Sequence, residues 1–87
     1  MAEELSEALI LLGKKIKAGR DKRGWSQARL AEEANLSERS IGRIENGEQI
    51  PKVTSLYRIR KVLDWGQDPL IEDLIQIVKQ KKQRDVD

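Results

Sequence analysis

Apolar residues recur at helical spacing in successive stretches of this 87-residue chain. From about Leu5 to Arg23, Leu5, Leu9, Leu12 and Ile16 form one stripe, broadened by Ala8 and Leu11, so the spacing predicts a first helix there. Lys22 and Arg23 suit the negative C-terminal end of its dipole, and Gly24 suits the position just past it. Ser26 is a natural N-cap for a second helix, in which Leu30, Ala31 and Ala34 keep the same spacing. Asn35 breaks the pattern. After glycine, asparagine most readily takes the left-handed backbone of a sharp helix exit. Leu36 follows as a buried turn residue and Ser37 caps a third helix, in which Ile41 and Ile44 share one face while Arg39, Arg43 and Asn46 gather on the other. Asn46 and Gly47 end it.

A fourth helix is predicted from about Thr54 to Leu63, burying Leu56, Ile59, Val62 and Leu63, with the stem of Arg60 along the core edge. Trp65 and Gly66 close its exit. Asp68, an acidic N-cap, and Pro69, at the first helical position, open a fifth helix over about residues 69–82. Its stripe is broad, comprising Leu70, Ile71, Leu74, Ile75, Ile77 and Val78, and the polar tail past Lys81 is expected to fray. The pattern as a whole predicts an all-α fold of five helices in one domain, residues 1–87.

Composition narrows the chemistry. An apolar content of 38% in a chain this short supports one core, burying about 60% of the unfolded chain's surface. With no Cys and no His, disulfides, thiolate or imidazole metal sites and His-based acid–base catalysis are excluded. No nucleophile–base pair, metal cluster or phosphate-cradling glycine loop stands out, so neither an enzyme nor a bound cofactor or metal is expected. The longest apolar run, Ala8 to Leu12, is far below the ~20 residues of a membrane span, which predicts a soluble cytoplasmic protein.

The net charge of +2 hides an uneven distribution. Residues 1–10 carry three acids and no base, residues 14–23 six bases and one acid, and residues 51–66 four bases and one acid. Such clusters are either solvated helix faces or surfaces that meet phosphate. Aromatic residues are two Trp and one Tyr, too few for a platform that stacks single strands, which favours duplex DNA over RNA.

The two short helices and tight turn between Ser26 and Gly47 have the layout of a helix-turn-helix. The ordered set Gln27, Leu30, Ala31, Leu36, Ser37, Ile41, Glu45, Gly47, Pro51, Leu56, Ile59 and Leu63 resembles the Cro/repressor, or XRE-like, helix-turn-helix family over about residues 12–63. The resemblance implies a lambda-repressor-like DNA-binding domain. It implies that Arg20 and Glu45 pair between the first and third helices as a structural ion pair, and that Gln27 contacts a phosphate. Gly19 departs from the family's large aliphatic residue, and Trp25 is expected to swing its indole over the space.

On the DNA side, the N-termini of the second and third helices present free N–H groups and partial positive charge that suit phosphate, which puts the caps Ser26 and Ser37 among the DNA-binding residues beside the family-matched Gln27, and Ser40 is expected to be another phosphate donor. Arg39 and Arg43, four residues apart, can each bind O6 and N7 of guanine, and Asn46 completes that face. Glu38 either reads a base, as the matching residue does in lambdoid repressors, or simply complements the helix dipole. Gly42 leaves a gap one turn later, in which the helix lies deeper in the groove or a thymine methyl fits. Glu48 weakens the case for phosphate contacts from the loop that follows.

These expectations describe a sequence-specific regulator, a repressor more than an activator, acting as a homodimer on a pseudo-palindromic operator in duplex DNA. By analogy with lambdoid repressors, the fifth helix would dimerise through Leu70, Leu74, Ile77 and Val78; otherwise a single core absorbs its stripe. The rival reading is a protein-interaction module of the same fold, an antitoxin or adaptor whose main partner is a protein.

Overall fold

The five apolar stripes fold as five helices. A computed structural model describes the backbone of residues 2–86 and the side chains of residues 5–80. In chain order the helices are α1 (Ala2–Lys22), α2 (Gln27–Ala34), α3 (Glu38–Glu45), α4 (Val53–Val62) and α5 (Pro69–Val86), and no strand occurs among the described residues. Two of the five are only eight residues long, too short to persist alone in water, so packing must hold them. It does so through residues contributed by every helix. Leu12 and Ile16 of α1, Leu30 of α2, Ile41 of α3, Leu56 and Ile59 of α4, and Ile71 and Leu74 of α5 are completely shielded from water. Each such side chain contributes about 1.5 to 3 kcal/mol of burial.

The first four helices leave by one device. Beyond each end a residue turns left-handed: Gly24 after α1, Asn35 after α2, Gly47 after α3 and Asp64 after α4. The next residue's N–H then reaches back five positions, as in Trp25 to Arg20 and Glu48 to Arg43. The α2 exit falls at Asn35, as its residue type predicts, with φ 55° and ψ 48°. The result is a tight turn that sets α3 across α2.

Three expectations need correction. Leu11 does not join the α1 core stripe: it is 53% exposed, as is Ile10 at 49%, because they flank the core-facing side on which Leu12 and Ile16 lie. Trp25 does not cover Gly19. A Cβ at Gly19 would meet Leu63 at 3.3 Å and the Trp65 indole at 3.6 Å, so the α4 exit packs there instead. Trp25, half-buried, lies with the guanidinium groups of Arg23 and Arg29 over its ring at 5.6 and 5.1 Å. Finally, the α5 stripe divides unequally. Leu74 and Val78 are enclosed with Ile71 and Ile75 in the chain's own core, Leu70 is half-buried, and Ile77 is 38% exposed.

The backbone of α5 runs to Val86, past the end expected near residue 82. The side chains beyond Gln80 lie outside the described residues, and with them the expected fraying after Lys81. At its other end α5 is pinned by Asp68, which accepts from the N–H groups of Leu70 and Ile71 at 3.0 and 3.3 Å and pairs with Lys15 of α1 at 2.8 Å. That carboxylate was foreseen as a cap. Its second partner on α1 was not.

Candidate nucleic-acid interface

The α2–turn–α3 unit and the end of α1 packed beneath it contribute three kinds of group. The first is a pair of capped helix starts. Ser26 accepts from the Arg29 N–H at 3.0 Å and Ser37 from the Ser40 N–H at 3.0 Å, and both caps have extended backbone. Ser37 also donates its hydroxyl proton to Ser40 at 2.9 Å, leaving the Ser40 proton free for an outside acceptor. Each cap satisfies one N–H of its first turn, and the remaining donors there suit an anion.

The second is the outer face of α3. Ile41 and Ile44 are buried, so the helix rotates Glu38, Arg39, Arg43 and Asn46 outward, and all four are exposed. No described carboxylate forms an ion pair with either arginine. Two unpaired guanidinium forks one turn apart can recognise paired acceptors on a base edge or a phosphate.

The third is the support beneath. Arg20 of α1 donates from Nε and Nη2 to the two carboxylate oxygens of Glu45 at 2.7 and 3.0 Å, and from Nη1 to the Trp25 carbonyl at 2.8 Å. Its side chain is 11% exposed and that of Glu45 4%. The fork therefore ties α1, the loop before α2 and the end of α3 into one unit. Gln27, half-buried at the start of α2, donates its amide to Glu45 at 3.0 Å. Burial alone would raise the Glu45 pKa, but the hydrogen bonds from Arg20 and then Gln27, with the charges of Arg20 and Lys17, outweigh it and hold the carboxyl below its ordinary value. The hydrogen bond to Glu45 in turn raises Arg20.

Asp68 is likewise lowered, chiefly by its hydrogen bond from Lys15. Both carboxylates thus bind protons less readily folded than unfolded, and the stability they supply is complete above their ordinary values and lost as pH falls through the folded ones. Thermal melting across a pH series should stay level from about pH 7 to 5 and decline below about pH 4. Asp68→Asn should flatten part of that acid limb, and an unchanged limb would remove Asp68 from the account.

Residue by residue, the structure brings Arg20, Gln27 and Glu45 together and leaves Ser26, Ser37, Glu38, Arg39, Ser40, Arg43 and Asn46 at the surface of the two short helices. Sequence reasoning missed Gly13. A Cβ there would lie 2.1 Å from the Glu45 carbonyl oxygen and 3.0 Å from that of Ile44. The backbones of α1 and the end of α3 therefore touch, and the available signal was a glycine directly beside core Leu12 in an otherwise good helix former.

A family model described as helix-turn-helix matches residues 16–64, more than half of the chain and nearly the span marked out by the residue pattern. The HTH-type transcriptional regulator SutR of Escherichia coli (strain K12) is 43% identical to this chain over 44 residues. That stretch is 51% of this chain and 25% of SutR, so the chain matches about a quarter of that relative's length. No solved structure matches the chain. None of the described helices is long and apolar enough to cross a membrane.

Proposed function

This chain belongs to the helix-turn-helix family, and on that footing we propose that it binds duplex DNA in a sequence-specific manner and regulates transcription, as a repressor more than an activator. The observation that carries the reading is the α3 surface: Arg39 and Arg43 stand exposed, with no ion-pair partner among the described residues, on a helix whose opposite face is locked into the core. A helix presented in this way fits the major groove, where each fork can take O6 and N7 of a guanine. Ser26, Ser37, Ser40 and the backbone N–H of Gln27 are assigned to the sugar-phosphate backbone, where they position without specifying. Glu38, at the first position of α3, either accepts from cytosine N4 or complements the dipole, and Asn46 flanks the same face.

A dimer on an inverted repeat follows from the same reading, with half-sites about 34 to 36 Å apart. We infer that its contact would use the outer edge of α5; supporting this, Ile77 and part of Leu70 remain open while Leu74 and Val78 lie beneath them in the core.

Selection of bound duplexes from a random library, repeated over a salt series, tests this. Phosphate contacts alone weaken steeply with salt, whereas a base code persists in what binds. The expected result is an inverted repeat with guanines in each half. Arg43→Ala should relax the preference at one position and cost about 1 to 3 kcal/mol of affinity. Unchanged affinity and consensus in that variant would remove Arg43 from the reading surface. Weak binding without any consensus would turn the assignment toward a protein-interaction module of the same fold.

A further inference from the structure

One turn of the exposed half of α3 has no side chain of its own. At Gly42, between Glu38 and Asn46, a Cβ would find as neighbours only the carboxamide of Gln27, reaching over from α2, with Oε1 at 3.6 Å and Nε2 at 4.0 Å. That carboxamide is already fixed. Its Nε2 donates to Oε1 of Glu45 at 3.0 Å, and Glu45 is gripped by the Arg20 fork. Because a carboxylate accepts and never donates, the contact also decides which end of the amide is nitrogen. One N–H and the Oε1 oxygen remain without a described hydrogen-bond partner.

We propose that Gln27 reads an adenine through the gap at Gly42, so that a side chain of α2 supplies the base-recognition chemistry missing from that turn of α3. The proposal rests on the reading of α3 as a major-groove helix. A carboxamide offers one donor beside one acceptor, which matches adenine N7 and N6–H2. A phosphate offers acceptors alone, so it would use the free N–H and leave Oε1 without a donor. The side-chain amide therefore suits a base edge better than the phosphate backbone, while the backbone N–H of Gln27 keeps its phosphate assignment. Prior anchoring by Glu45 also lowers the cost of ordering the side chain on binding. Any larger residue at position 42 would occupy the space the amide overlooks.

Bound duplexes are selected in parallel by the wild-type protein, by Gln27→Ala and by Gly42→Leu. The wild type is expected to enrich an adenine in each half-site beside the guanines. Both variants should lose the adenine and keep the guanines. Gly42→Leu retains Gln27 and favours the helix, so it interrogates the gap alone. If either variant folds poorly, the surface variant Asn46→Ala, which removes the other carboxamide of this face, decides: it should still enrich the adenine, and replacing that adenine with 7-deazaadenine, which lacks the N7 acceptor, should weaken its binding about tenfold. Gln27→Ala that lowers affinity uniformly and keeps the adenine, or 7-deazaadenine without effect, overturns the proposal and leaves guanine reading by α3 intact. A wild-type protein that enriches no sequence overturns both.

Discussion

Glu45→Ala is expected to lower the free energy of unfolding by about 3 to 5 kcal/mol, a large share of the stability of a domain this size. The loss comes from what the substitution leaves behind. Arg20, 11% exposed, would keep its charge with two of its donors emptied, and the Gln27 amide would lose its acceptor. A buried charge left with only the exposed Asp21, 3.7 Å from its Nη1, costs far more than the net worth of the pair, since the pair itself was costly to desolvate. Replacing both partners by apolar residues, Arg20→Met with Glu45→Leu, should therefore recover much of the loss. Urea denaturation of Arg20→Met, Glu45→Leu and the double variant measures the coupling directly. If Glu45→Ala moved the midpoint no further than a surface substitution, the fork would not be what joins α1 to α3.

The same variants separate folding from reading. The double variant restores a packed junction and leaves Gln27 untethered, so it should melt close to the wild type and discriminate adenine less well. A fork that only held helices together would leave that preference untouched in a refolded double variant. On the proposed reading stability and recognition share Glu45, so the urea midpoint and the adenine preference are measured on the same variants.

Periodicity and cap residues were enough to set out five helices, the left-handed exit at Asn35, both serine caps and the outward arginines of α3. Each is local: a side chain acts on backbone within a turn of itself, and a one-dimensional pattern contains that relation. The pairing of Arg20 with Glu45 spans 25 residues and came only from resemblance to a family. What stayed hidden depends on how helices cross. Comparison with the family's residues at positions 19 and 25 made Trp25 the candidate to cover Gly19, yet the path of the chain after α4 brings Trp65 there. Breadth of the α5 stripe likewise did not reveal how much of it α1 and α4 would cover; the answer is all of Leu74 and nearly all of Val78. Lys15 was one base in a cluster of six until Asp68 was set against it.

Gly13→Ala is the second large effect expected, and it is opposite in sign to the usual rule. A helix-interior glycine replaced by alanine gains roughly 1 kcal/mol where the new methyl meets open space. Here the methyl carbon would lie 2.1 Å from the carbonyl oxygen of Glu45 and 2.7 Å from its carbonyl carbon. Both are backbone, so no rotamer change relieves the contact. The crossing of α1 over the end of α3 must open by an ångström or more, and with it the Arg20–Glu45 fork, whose two hydrogen bonds depend on that spacing. Overpacking of this kind costs typically 1 to 3 kcal/mol, and strain on a buried ion pair adds to it. The net expectation is a destabilisation of about 2 to 4 kcal/mol, read as a lower melting temperature and an earlier urea midpoint. Gly42→Ala, in α3 and with only the Gln27 amide nearby at 3.6 Å, is the matched control and should be neutral or stabilising. If the two alanines behaved alike, α1 and α3 would not be in backbone contact, and the junction would have to be held by the fork alone.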